Sequence, residues 1–273
     1  MSKNPHVEVG RLRQELTALL QQASSGALTG PARRKLNEEV RAAIADLGGL
    51  LRDLDPIRQP SSVFDPSNPK VIGRFVALAL VAQERHPLNQ VPTVYGSGVY
   101  AIYYRGPFPL YAKIACTETP VYVGQAAPAD RNARTATDQG PRLSARLNEH
   151  RKNIVKAAST LDIEDFDYRS LVVQSGWETA AEDYLIHLFQ PLWNSETDIL
   201  YGLGKHGDAP TTRANKRSPW DTVHPGRKWA VDTTEDAKTS DEIEQEVGKH
   251  FETCGVYTDL DAVLASFIEE LRQ

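Results

Sequence analysis

Apolar residues in the first 54 positions recur at intervals of three and four. Val9, Leu12, Leu16, Leu19 and Leu20 mark one helix, and Leu36, Val40, Ala43, Ile44, Leu47, Leu50 and Leu51 mark a second. Ser24-Ser25-Gly26 separates them and Pro31 suits a first helical turn, so residues 6–58 read as a helical hairpin. Pro56, Pro60, Pro66 and Pro69 mark a linker. Val71 to Arg85 reads as a short apolar helix that His86-Pro87 ends.

The pattern changes at Gly98. Gly98 to Tyr104 is rich in β-branched and aromatic residues and reads as a strand. Pro120 to Gly124 is a second strand and Tyr168 to Gln174 a third. Leu143, Leu147 and Ile154 mark a helix that begins near Pro141. Ser175 and Glu178 have capping-box spacing and open a helix carrying Ala181, Leu185, Leu188 and Phe189, which Pro191 stops. The expected fold class is α+β: a small three-stranded antiparallel sheet flanked by helices, behind an N-terminal helical extension. Residues 1–90 form that extension and linker, 91–230 the central domain, and 231–273 an acidic, mostly helical extension.

The chain has 273 residues, 40% of them hydrophobic and 25% charged, which are globular values. No apolar run approaches the roughly 20 residues that span a bilayer. Two cysteines make no disulfide framework, and no secretory signal is evident, so a cytoplasmic, reducing setting is expected. The net charge is -5, but it is unevenly placed. Residues 231–273 hold three basic and twelve acidic side chains. Two stretches are basic. Residues 131–156 carry Arg131, Arg134, Arg142, Arg146, Arg151, Lys152 and Lys156, and residues 205–228 carry Lys205, Arg213, Lys216, Arg217, Arg227 and Lys228. Local patches such as these, not the total, set affinity for phosphates.

Several polar residues fall where the small sheet and its helices converge. Arg146 and His150 are four apart and share a helical face. Glu182 sits among apolar neighbours on the next helix, and Asn194 follows Pro191-Leu192-Trp193. Tyr100 and Tyr122 lie on strands beside glycines, in Gly98-Val99-Tyr100 and Tyr122-Val123-Gly124. Taken in this order, with Leu185, Phe189 and Pro191, the set resembles the GIY-YIG nucleases. Valine stands for isoleucine in both signature tripeptides, which keeps a β-branched apolar side chain. Residues 93–250, including Trp220 to Arg227, are further similar to type II restriction endonucleases of this fold that cut the palindrome CCGCGG. The insertion Tyr104 to Thr119 and the loop 126–141 also look like features of that branch.

The resemblance implies Mg²⁺-dependent hydrolysis of phosphodiester bonds in both strands of DNA, with Tyr100, Tyr122, Arg146, His150, Glu182 and Asn194 as the catalytic set. Glu182 is the only acidic member and the expected Mg²⁺ ligand. Arg146 has the fork geometry to meet the scissile phosphate. Asn194 is expected to hold Glu182 or the cleft in place, and Tyr122 to orient phosphate or water. The base is open between Tyr100, whose phenol ordinarily titrates near 10, and His150, an imidazole.

A palindromic duplex needs two cuts related by a two-fold axis, so a homodimer is expected, with a tetramer on two sites as the alternative. A DNA methyltransferase of the same system, not held in a stable complex, is the implied biological companion. Arg131, Arg134, Arg142, Lys205, His206, Arg213 and Arg217 are candidates for DNA contact. His187 reads as structural. Trp220 to Arg227 reads as either a structural clasp or a DNA contact. The competing readings are a repair or mobile-element nuclease of other specificity and a non-catalytic DNA-binding protein.

Overall fold

A computed structural model describes residues 4–25, 29–54, 57, 60, 63–204 and 216–272. The chain divides into two units, Met1–Phe64 and Asp65–Gln273. The first holds α1 (Pro5–Ser25) and α2 (Gly30–Leu54). Both helices form where the spacing places them. Their apolar stripes nevertheless stand open: Leu12, Leu16, Leu19, Ile44, Leu47 and Leu51 are all exposed. The second unit begins with α3 (Pro69–Val81), β1 (His86–Pro87), β2 (Gly98–Tyr104), β3 (Tyr122–Ala126), α4 (Ala136–Gln139) and α5 (Arg142–Lys156). It continues through β4 (Phe166–Val172), α6 (Glu178–Phe189), β5 (Lys216–Arg217), α7 (Pro219–Val223), α8 (Lys228–Val231), β6 (Glu235–Asp236), α9 (Ser240–Thr253) and α10 (Leu260–Leu271).

The main sheet has four antiparallel strands, in the order β1-β4-β2-β3, where the sequence suggests three. The extra strand is the pair His86-Pro87 against Tyr168 and Asp167. Two residues carry no readable periodicity, which is why the pattern shows only the end of a helix there. A separate two-stranded sheet pairs β5 with β6 in parallel.

Strand β2 is buried on both faces. Its period of two separates two cores. Tyr100, Ile102 and Tyr104 face one core with Leu143, Leu147 and Ile154 of α5, Trp193 and Trp220. Val99, Ala101 and Tyr103 face the other, with Leu80 of α3, Leu185 and Phe189 of α6, and Phe267 of α10. Helix α3 lies tight on α6 because Gly73 has no side chain: a Cβ there would stand 2.5 Å from the Ala180 carbonyl oxygen.

The start of α6 differs from the capping box. Its N-cap position is Trp177, and Glu178 accepts from the Gly176 backbone N–H at 2.7 Å and from Ser97 Oγ at 3.0 Å. Ser175 turns away and donates to the Ala133 carbonyl at 3.1 Å. A tertiary partner has displaced the local one. Among the described residues no helix is long and apolar enough to cross a membrane.

Candidate active site

Strand β2 places Tyr100 at its centre, and α5 places His150 opposite. Tyr100 Oη and His150 Nε2 are 2.7 Å apart, and both side chains are fully buried. Burial pushes the Tyr100 phenol well above its ordinary 10.0; neighbouring Arg146 pulls in the opposite direction and does not prevail. Tyr122 enters from β3, with its ring 4.9 Å from that of His150 and 6.1 Å from that of Tyr100. Burial raises its phenol to about 12. Gly124 makes the room: a Cβ there would lie 2.5 Å from Tyr100 Oη and 2.9 Å from Tyr122 Cε1.

The outer edge of β3 carries two more of the expected residues. Asn194 Oδ1 accepts from the Val123 N–H at 3.0 Å, and Asn194 Nδ2 donates to the Val123 carbonyl at 2.9 Å. Two residues along, Gln125 lies near Glu182 and favours its charged form, while its side-chain amide donates to Thr179 Oγ1 at 3.2 Å. Asn194 therefore holds the strand between Tyr122 and Gly124, and its link to Glu182 runs through that strand rather than through direct contact. Glu182 is half-buried, and burial raises its carboxyl to about 7. Its charge is felt at both Tyr100 and Tyr122.

Arg146 is partly exposed, one turn before His150 on α5, and pairs with Glu149 at 2.6 Å. Glu149 was not singled out from the sequence; its spacing of three from Arg146 on a helix is the signal that could have found it. A cleft of about 730 Å³ opens beside the pair, lined by Arg146, Glu149, Gln125, Arg131 and Arg142 among others. Arg142 also donates to the Ala127 carbonyl at 3.0 Å. Arg131 and Arg134 are exposed. Arg217 is engaged elsewhere, with its Nε 2.7 Å from Asp236 Oδ1. Lys205, His206 and Arg213 lie outside the described residues. His187 is exposed in the last turn of α6.

The Trp220 to Arg227 segment is a clasp. Arg227, only 1% exposed, meets Asp221 through Nε at 2.6 Å and Nη2 at 2.5 Å. Its guanidinium lies over the Trp220 and Trp229 rings. His224 bonds to Tyr111, and to Thr160 Oγ1 at 2.9 Å. Trp193 Nε1 donates to Tyr111 Oη at 2.8 Å, and through His224 the insertion after β2 is stitched to the clasp and to Thr160 beyond α5.

The site thus gathers two phenols, an imidazole and a guanidinium, with a carboxylate near enough for its charge to be felt at both phenols and an amide bracing the strand between them. That is a set able to move a proton and to neutralise a phosphate. No protein of curated function matches the chain. The family model described as the Eco29kI GIY-YIG domain matches residues 93–251, which span β2 to α9 and every member of this set. Because that match takes in more than half of the chain and the whole of the site, the chain belongs to the Eco29kI GIY-YIG domain family, a restriction endonuclease family of GIY-YIG nucleases.

Proposed function

We propose that the protein is a type II restriction endonuclease. It hydrolyses phosphodiester bonds in both strands of a short palindromic GC-rich site, CCGCGG, in double-stranded DNA. The observation that carries this reading is the 2.7 Å pairing of Tyr100 with His150 beside Arg146 and within the field of Glu182.

Glu182 is the residue that would hold Mg²⁺. Its carboxylate is half-desolvated and offers oxygen, the donor that a hard cation takes. Among the described residues no three carboxylate, imidazole or thiol groups converge. A cation at Glu182 would therefore have fewer than three such protein ligands and draw on water and phosphate oxygens, as Mg²⁺ commonly does. When bound, it would supply charge for the phosphate and a lowered pKa for water.

The chain's own residues do the rest. Tyr100 stands beside the attacking water. Burial disfavours a free phenolate, so Tyr100 passes its proton to His150 Nε2 as it takes one from the water. Arg146 meets the phosphate, and its pairing with Glu149 sets the direction of the guanidinium. Tyr122 orients the phosphate or water through its hydroxyl. Arg131 and Arg142, on the cleft, and the exposed Arg134 supply contacts to the duplex. One such site makes one cut, so two copies related by a two-fold axis cut a palindrome. A DNA methyltransferase of the same system would protect the host's own sites.

Incubation with plasmid DNA and Mg²⁺ tests the reading. Discrete fragments with ends inside CCGCGG are expected. Uncut plasmid, a smear, or ends in other sequences would overturn it.

A further inference from the structure

The strongest polar cluster outside the reacting groups is the Asp221–Arg227 pair, both of whose side chains are at most 1% exposed. A bidentate pair at that depth is costly to desolvate unless its remaining donors are met. They are met by main chain. Arg227 Nη2 donates to the Gly202 carbonyl at 2.9 Å, and Nη1 to the Leu203 carbonyl at 3.2 Å. Asn153 Nδ2 donates to the same Leu203 carbonyl at 3.1 Å. Ser218 Oγ donates to Asp221 Oδ2 at 2.5 Å. Gly202 has a φ of +118°, and a Cβ on it would stand 2.3 Å from Ser218 Oγ, so only glycine lets this backbone lie against the pair.

The next residue is where the clasp reaches the chemistry. A Cβ on Gly204 would stand 3.1 Å from Arg146 Nη2, 3.5 Å from Tyr122 Oη and 3.7 Å from His150 Cε1. Gly204 is thus a wall of the site. Its backbone is held by two carbonyls that a buried guanidinium grips.

We propose that Arg227 and Asp221 are positioning residues for cleavage: through the Gly202 and Leu203 carbonyls they seat Gly204 against Arg146, Tyr122 and His150 and so fix the Arg146 guanidinium toward the phosphate. Arg227 touches no substrate in this scheme; it acts through the backbone. The clasp's role in cleavage rests on the endonuclease reading above.

Two variants and two readouts test it. Gly204→Ala leaves the clasp intact and presses a methyl group onto Arg146. It is expected to lower the single-turnover cleavage rate on the order of tenfold, with Tm and DNA affinity unchanged. A parental rate, or a loss of rate matched by a loss of folded protein, would overturn the proposal. Arg227→Lys keeps the charge but cannot grip the carboxylate and both carbonyls at once. It is expected to raise amide hydrogen exchange at residues 202–204 while β2 and β4 stay protected. Unchanged exchange at 202–204 would overturn the proposal. If the parent protein cuts no DNA, the endonuclease reading fails by that result, and the exchange experiment still decides whether the clasp seats Gly204.

Discussion

Tyr100 Oη and His150 Nε2 stand 2.7 Å apart in a buried space between the central strand and α5. The Tyr100 phenol is held well above its ordinary value, so the phenolate fraction stays small at neutral pH and would grow about tenfold per pH unit on the alkaline side. A relay through His150 predicts a cleavage rate that does not climb between about pH 8 and pH 10. A tenfold rise per unit would mean that Tyr100 acts as a free base. Tyr100→Phe keeps the ring in the core and should lower the rate on the order of 10² to 10⁴-fold with little change in Tm.

Glu182 is half-buried and, unlike Tyr100, His150 and Asn194, is replaceable without disturbing a core. Glu182→Gln keeps its size and its contact with Gln125. Cleavage should fall below detection while binding to the uncut duplex, measured by gel shift in Ca²⁺, stays within about threefold. A variant that still cuts would remove Glu182 as the metal ligand.

Asn194 predicts a different signature. Asn194→Ala strips the partners from both backbone groups of Val123. Leaving them unmet should cost about 2–4 kcal/mol of stability, read as a shift of the urea midpoint. Activity at low temperature, per folded molecule, should fall less steeply than for Glu182→Gln. A stability equal to the parent's would show that water replaces the amide.

His224 governs the acid side. Burial holds it neutral, with its pKa down to about 3 from 6.5. The unfolded chain takes up a proton near 6.5 and the folded chain does not until far lower, so stability is present above 6.5 and lost as pH falls from there toward 3. At pH 5 the loss from this residue is about 2 kcal/mol. Urea unfolding at pH 7.5 and pH 5 measures it, and His224→Gln should flatten the difference. An equal pH dependence in the variant would assign the effect to other groups.

Much of the site is legible in the sequence because its residues lie in patterned elements. Gly98 to Tyr104 alternates between two cores, and Arg146 and His150 share a helical face, so the elements are readable from pattern; that their side chains form one set is what the resemblance to the GIY-YIG nucleases implies. What Asn194 does is not legible, because its partner is backbone 71 residues away. The sequence leaves the clasp open against a DNA contact for the same reason: Arg227 looks like one more cation in a basic stretch, whereas its neighbours are carbonyls, a carboxylate and two indoles. Arg217 likewise reads as a free cation and is forked onto Asp236 across β5 and β6. The Ser175 to Glu178 spacing misleads because Ser97, distant in sequence, takes the glutamate. Burial and pairing are set by the fold, and local spacing carries no record of them.

The borders of the main sheet bear on how two copies could join. On one side β1 is only two residues long and ends in a proline, which has no N–H to offer. On the other, both backbone groups of Val123 are already taken by Asn194. Neither margin offers a long unbroken run of ladder groups to a neighbouring chain's strand, and on the β3 side recruitment would displace Asn194. Assembly by sheet extension is thereby disfavoured, and a symmetric pair would have to meet through helices, loops or the DNA itself.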